Sequence, residues 1–296
     1  MGARLEALLW YAATLALELP GALVRFAVVY LVALPVLILR GSVPFEYPIA
    51  LIAALFPMAW SALALILPAT GRWLWQARMG GRSPSERERR AYEDAVHILA
   101  QTGYDLPLPS HWLVIDDEAP RAAALGDSLM LSRGDLHDGQ LAAVLAHELG
   151  HLATSDGRVT AALDRLVLWH DPLGPNPYGG LRPFRAAVRG LLYLAGGGAS
   201  LLITRGIWGT WWRERELQAD HYTAALGQGP ALATYLEQQA LPHDTPTPFI
   251  WLTDKSHPYT EHRIERLRKT SDSYRPPPDK LQGPAVKLAE SPPTPD

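Results

Sequence analysis

His147-Glu148-Leu149-Gly150-His151 sets two imidazoles four residues apart with a carboxylate beside the first. On a helix, positions i and i+4 share a face, so both rings can aim a nitrogen at one ion. Glu148 can then reach a water at that ion and take its proton. The chain has no cysteine, which excludes thiolate metal sites, iron–sulfur clusters, disulfides and a cysteine nucleophile. A hydrolytic zinc site takes three protein ligands and keeps one position open. The third ligand here must therefore be His, Asp or Glu, and the residues after His151, LATSDG, bring no further histidine. Downstream, Glu216-Leu217-Gln218-Ala219-Asp220 offers two carboxylates at i and i+4. Glu216 is the expected third ligand. Glu214 is the alternative, although it points roughly 120° away from Asp220 on a helix. Asp220 is expected to accept a hydrogen bond from a ligating imidazole and so fix its tautomer. Two histidines and a glutamate favour zinc among the divalent metals.

The elements that must carry these residues are legible in outline. Leu141, Val144, Leu145, Leu149 and Leu152 repeat at helical spacing, with Asp138 as the expected N-cap and Thr154 near the end. Ser83-Pro84-Ser85-Glu86 reads as a helix start capped by Ser83, running to about Gly103 with Ala91, Ala95, Ile98 and Leu99 on one face. His111 to Asp116 and Leu129 to Ser132 read as strands, the second after a Gly126-Asp127 turn. Further helices are expected over roughly Trp211 to Leu226 and Thr260 to Lys269. The fold class is mainly α with a small β-sheet, an α+β arrangement.

Of 296 residues, 48% are apolar and 19% charged, against a usual charged share of about 25%. The net charge of −3 gives no sign of a nucleic-acid partner. The apolar residues are concentrated. Tyr47 to Thr70 holds no charge, long enough as a helix to cross a hydrocarbon core of about 30 Å. Phe26 to Leu39 reaches spanning length if Arg25 snorkels. Leu5 to Leu19, closed by Pro20-Gly21, reads as a separate interfacial or partly inserted helix. Arginines 72, 78, 82, 87, 89 and 90 come after the second span, whereas the link between the spans carries only Arg40. The positive-inside rule then puts the segment after Thr70 in the cytoplasm. Gly190 to Thr204 is a third apolar stretch, short for a span: a membrane helix, a re-entrant hairpin or a core helix. Trp208, Trp211 and Trp212 after it favour membrane contact. The organisation read from this is a membrane anchor over 1–75 with about two transmembrane helices, a catalytic domain over 76–270 with a membrane-contacting insertion at 186–212, and a Pro-rich disordered tail over 271–296.

HExxH, then ExxxD on a later helix, then His257-Pro258 with Arg263 six residues after the histidine, resembles the HtpX-like and type 1 CAAX prenyl protease family of membrane-anchored zinc endopeptidases. The stretch Ala122 to Gly150 is similar to that family as well. The resemblance implies a zincin-like fold with N-terminal transmembrane helices. It implies one zinc on His147, His151 and Glu216, Glu148 as catalytic base, His257 helping the oxyanion, and Arg263 bracing the site by pairing with carboxylates, Asp220 first. The family often carries Asn-Ala-Phe-Ala-Leu where this chain has Arg121-Ala122-Ala123-Ala124-Leu125.

The substrate is expected to be extended or unfolded polypeptide, lying along an edge strand formed by Leu129, Met130, Leu131 and Ser132 and paired through its main chain. The expected location is the cell membrane, with the catalytic domain facing the cytoplasm and a role in membrane-protein quality control. Two other classes fit less well. A zinc-holding scaffold without turnover has no use for Glu148, and a soluble protease would have to bury the N-terminal apolar runs.

Overall fold

In the computed structural model, which describes residues 2–39, 46–67, 80–154, 159–163, 166, 198–239 and 260–270, the apolar N-terminus forms two long helices. They are α1 (Gly2–Leu39) and α2 (Glu46–Ile66). The helix α1 continues through Pro20-Gly21, where a break was expected. Among apolar surroundings, freed backbone groups cost several kcal/mol each, so losing one hydrogen bond at proline is cheaper than opening the helix. Pro57 sits inside α2 for the same reason. By length and composition, Pro48–Ile66 can cross a membrane.

This helix pair has its polarity reversed. The buried positions of α2 are Ala50, Ala54, Pro57, Ser61 and Ala64, at alternating steps of four and three. Those of α1 are Tyr11, Thr14, Glu18, Gly21 and Ala22. The outward positions carry the large apolar side chains, with Leu23 70% exposed and Ile52 65%. Small residues let the two backbones approach closely. The few polar groups on the inner face are bonded: Tyr11 Oη lies 3.1 Å from Ser61 Oγ, and Ser61 Oγ donates to the Ala162 carbonyl at 2.6 Å. Thr14 bonds back to the Trp10 carbonyl. Residues 159–163 are helical, and Ala161, Ala162, Leu163 and Leu166 are buried.

The chain divides into two compact units. One comprises Met1–Leu74, Asp156–Arg215 and Thr245–Tyr259; the other comprises Trp75–Ser155, Glu216–Asp244 and Thr260–Asp296. The second holds α3 (Glu86–Ala100), β1 (His111–Ile115), β2 (Ala122–Leu125), β3 (Ser128–Ser132), α4 (Arg133–His137) and α5 (Leu141–Ala153). A single helix α6 (Gly198–Ala225) passes from the first unit into the second, replacing the shorter helix expected from Trp211. Two more, α7 (Gly229–Gln239) and α8 (Thr260–Thr270), complete the described elements. Part of the apolar stretch 190–204, residues 186–197 of the insertion 186–212, and all of the tail 271–296 lie outside the described residues.

The cap of α3 is Ser85, not Ser83. Both serines have a glutamate three residues on, but the reciprocal capping box forms between Ser85 and Glu88, which Arg82 also holds, whereas Glu86 pairs at longer range with exposed Arg89 and Arg90. The Glu88 carboxylate bonds the Ser85 N–H and takes a bidentate pair from Arg82 at 2.7 and 2.8 Å. That pairing holds the Glu88 carboxyl down at about 2, against burial, which opposes it. A carboxylate depressed in the folded state stabilises above its unfolded value and loses that contribution as pH falls through the folded one. Arg82 is partly exposed, so solvent screens the pair. Glu88→Gln is expected to cost about 1 kcal/mol at pH 7. The difference from wild type should close between about pH 4.5 and 2 in chemical denaturation series.

The sheet order is β1-β3-β2, with β1 parallel and β2 antiparallel to β3. This corrects the expected edge strand. Leu129 to Ser132 is the central strand, paired on both sides and buried throughout. The far side of β1 is bridged at Val114 by mutual hydrogen bonds with Arg82. The strand with an open edge among the described residues is β2. Gly126, at φ +68°, and Asp127 make the two-residue turn that folds β2 back on β3.

The helix α5 lies at the centre of this unit, with every residue but Ala142 buried from Leu141 to His151. One side packs Leu141, Leu145, Ala146 and Leu149 against the α3 and sheet core of Leu99, Val114, Leu129 and Leu131. Another side sets Ala143 against Leu232, Ala233 and Leu267 of α7 and α8. Its N-cap is Gln140. Asp138, the expected cap, instead accepts from the Gln140 N–H at 2.8 Å while ending α4. Fully buried Asp135 ties this corner together, accepting from Ser132 Oγ, the Arg121 N–H and Tyr235 Oη.

Candidate metal centre

His147 and His151 lie one helical turn apart on α5, and Glu216 faces them from α6. His147 Nε2 is 3.3 Å from Glu216 Oε2, and His151 Nε2 is 3.4 Å from Glu216 Oε1. One ligand atom from each residue falls within a 4.8 Å group, and all three residues are buried. The two imidazole–carboxylate separations are near those between neighbouring donors of a tetrahedral ion with bonds of about 2.0–2.1 Å. The donor chemistry, two imidazoles and a carboxylate converging on one point, fits zinc. Glu214, the alternative ligand, is exposed.

Asp220, one turn after Glu216, sits behind the histidine. Its Oδ1 is 3.1 Å from His147 Nδ1, which leaves Nε2 facing Glu216. Arg263 of α8 binds Asp220 with both arms of its fork, Nε to Oδ2 and Nη2 to Oδ1, each at 2.8 Å. Its Nη1 is also 3.0 Å from Glu216 Oε2. Arg263 is 6% exposed. Burial alone would weaken its charge, but Glu216 and Asp220 outweigh that, with a further contribution from Glu148, and keep it firmly cationic. Burial opposes ionisation of Asp220 too, yet His147 and Arg263 hold its carboxyl at about 2. For His147, burial disfavours charge, and the Asp220 and Glu216 carboxylates override it to push the imidazole up to about 10. His147, Arg263 and the surrounding carboxylates thus alternate in charge around this pocket. Glu148 is buried on α5 beside His147. His257 lies outside the described residues. His221, next to Asp220, has Nε2 2.9 Å from Arg266 Nη2 and turns away from the ligand group.

Two features escaped the sequence reading. The first is the open edge of β2, whose signal was the two-residue Gly126-Asp127 turn. The Ser132 N–H bonds the Arg121 carbonyl. Since antiparallel pairs alternate, Arg121 and Ala123 face β3, and the main-chain groups of Ala122 and Ala124 face outward. The second is Tyr222 on α6, whose hydroxyl is buried with no hydrogen-bond partner among the described residues. Burial pushes this phenol up. Removing an unpaired buried hydroxyl relieves a desolvation cost. Tyr222→Phe is therefore expected to match or exceed wild-type stability, by up to about 1 kcal/mol. A clear loss in thermal denaturation would mean that the hydroxyl is satisfied.

With this geometry in hand, the comparisons with known proteins are direct. The model of peptidase family M48 matches residues 113–271, more than half of the chain. A protease HtpX homologue of Tropheryma whipplei strain TW08/27 is 28% identical over 236 residues, covering 66% of this chain and 77% of its own length. The homologue of strain Twist is 27% identical over the same extent. Among solved structures, the crystal structure of S. mikatae Ste24p aligns with a TM-score of 0.46 and 18% identity, covering 81% of this chain. The chain spans 63% of that protein's length. The matched family region contains both histidines of the 4.8 Å group, the carboxylate that faces them, and the arginine behind it. The chain is an HtpX-like metalloendopeptidase of peptidase family M48.

Proposed function

We propose that this chain is an integral-membrane zinc endopeptidase, with its catalytic unit in the cytoplasm, that cuts extended or unfolded polypeptide in membrane-protein quality control. The observation that carries the reading is the convergence of His147, His151 and Glu216 on one point, with Glu148 beside them on α5. These three residues would hold the ion. When bound, zinc would polarise the scissile carbonyl and make the attacking water more acidic. Glu148 accepts the proton from that water and returns it to the leaving nitrogen. Asp220, 3.1 Å from His147 Nδ1, orients the ring with Nε2 toward Glu216, and Arg263 holds Asp220. His257 is assigned to the developing oxyanion by the resemblance.

Substrate is assigned to β2 instead of β3. An extended peptide pairs with the outward N–H and C=O groups of Ala122 and Ala124 by strand addition. Three successive alanines offer no large side chain for selection, which supports main-chain reading and sequence-tolerant cleavage. The reversed polarity of α1 and α2 supports immersion in hydrocarbon, because water would penalise that many exposed leucines and isoleucines. The arginines after α2 support the cytoplasmic orientation.

The test uses protein purified in mild detergent. Bound metal is measured by elemental analysis, and cleavage of casein is monitored with and without a chelator. One zinc per chain with chelator-sensitive cleavage is expected. Zinc without cleavage would favour a latent enzyme or scaffold, and full activity without detergent or lipid would overturn the membrane assignment.

A further inference from the structure

Gly150 is the one described glycine inside α5, and it is there for space. Its backbone is helical, so no left-handed conformation demands glycine. Glycine in a helix interior is less favourable than alanine. A Cβ at position 150 would lie 2.8 Å from Ala219 Cα, 3.1 Å from the Ala219 carbonyl oxygen and 3.1 Å from Tyr222 Cβ. Two of these three neighbours are main-chain atoms of α6, which cannot swing aside as a side-chain end can. The backbones of α5 and α6 therefore touch at Gly150 and Ala219.

The touching point is flanked by the candidate ligands on both helices. Gly150 immediately precedes His151 and comes three residues after His147. Ala219 immediately precedes Asp220 and comes three residues after Glu216. We infer that Gly150 is a positioning residue: its missing side chain sets the distance between the two helices, and through it the reach of Glu216 to the two histidines. The inference rests on the reading above that these three residues hold the metal. A methyl group at 150 must move the Ala219 backbone from 2.8 Å to at least 3.4 Å to restore ordinary contact. Metal sites hold their ligand distances to within about 0.2 Å. A shift of this size pulls Glu216 off the ion.

The test compares zinc affinity, by competition with a chromogenic chelator, and the visible bands of the cobalt-loaded protein. Wild type, Gly150→Ala and Leu99→Ala are measured on the full chain in detergent. Gly150→Ala is expected to bind zinc about 10- to 100-fold more weakly, the loss typical when the support of a ligand is disturbed, and to show altered cobalt bands. Leu99→Ala truncates a fully buried side chain of the same core. It is expected to lower the melting temperature while keeping zinc affinity within about twofold, because it leaves the Gly150–Ala219 crossing and the three facing side chains unchanged. Wild-type affinity and unchanged cobalt bands in Gly150→Ala would overturn the inference. If that variant does not accumulate folded, Ala219→Val, which adds bulk at the same crossing from α6, decides instead. A loss of zinc affinity there upholds the inference, and wild-type behaviour overturns it. His147→Ala and Glu216→Ala separate the underlying reading: if both keep wild-type zinc, the ligand assignment itself fails and this inference falls with it.

Discussion

Glu148→Gln is expected to retain wild-type zinc while losing about 10²- to 10⁴-fold in kcat, the range a positioned general acid–base supplies. Glutamine keeps the size and shape of the side chain, so the packing of α5, buried on all sides, is preserved. What it cannot do is accept a proton. Binding of an extended peptide should change little, because the outward main-chain groups of β2 are untouched, so KM stays near wild type. Removing one negative charge leaves Arg263 still paired with Glu216 and Asp220. Elemental analysis and single-turnover cleavage of a quenched peptide, measured side by side, check both halves. Turnover above a tenth of wild type would move the proton-transfer role to another group. Loss of zinc would mean that Glu148 organises the site instead of acting within it.

The metal helix and the carboxylates facing it were legible in the sequence because both depend on local periodicity. His147 and His151, like Glu216 and Asp220, are i and i+4 pairs, and the helix that carries each pair fixes which way they point. The pairing of Arg263 with Asp220 was reached by resemblance, and the bidentate geometry is in the structure. The strand order was harder. Leu129 to Ser132 has the apolar run of a strand, but whether a strand is central or at the edge depends on partners elsewhere in the chain. Ala122 to Leu125 has little intrinsic strand preference and no alternation. It becomes a strand because the Gly126-Asp127 turn folds it against β3. Helix limits failed where context outweighed the local signal. Arg82 selects Ser85 over Ser83 by holding Glu88, and apolar surroundings carry α1 through Pro20. The touching of Gly150 and Ala219 needed both helices in place, although each of the two residues sits inside a motif read from spacing alone.

Arg263→Met should strongly destabilise the chelator-treated protein. Methionine fills much of the same volume but brings no charge, leaving Glu216, Asp220 and Glu148 in a buried pocket with their main cation gone. Breaking a buried ion pair by removing one partner costs about 3–5 kcal/mol. The sign with pH is set by Asp220. In wild type its carboxyl is held at about 2, so its contribution is present above the ordinary value near 3.9 and fades as pH falls toward 2. In the variant, burial drives the same carboxyl up, so acidification relieves the repulsion instead. The gap between wild type and variant is therefore widest near pH 7, begins to narrow above about pH 4 as the variant's raised carboxyl takes up its proton, and narrows further toward pH 2 as wild type loses its own contribution. Zinc supplies the missing positive charge and, binding the folded state alone, should raise the melting temperature of the variant more than that of wild type. Arg263→Lys restores charge without the two-armed fork and should recover part of the stability but not the fixed Asp220–His147 geometry. Thermal denaturation with chelator and with zinc, at several pH values, tests each step. A chelator-treated Arg263→Met protein within about 1 kcal/mol of wild type would mean that Glu216 and Asp220 are not held by this arginine.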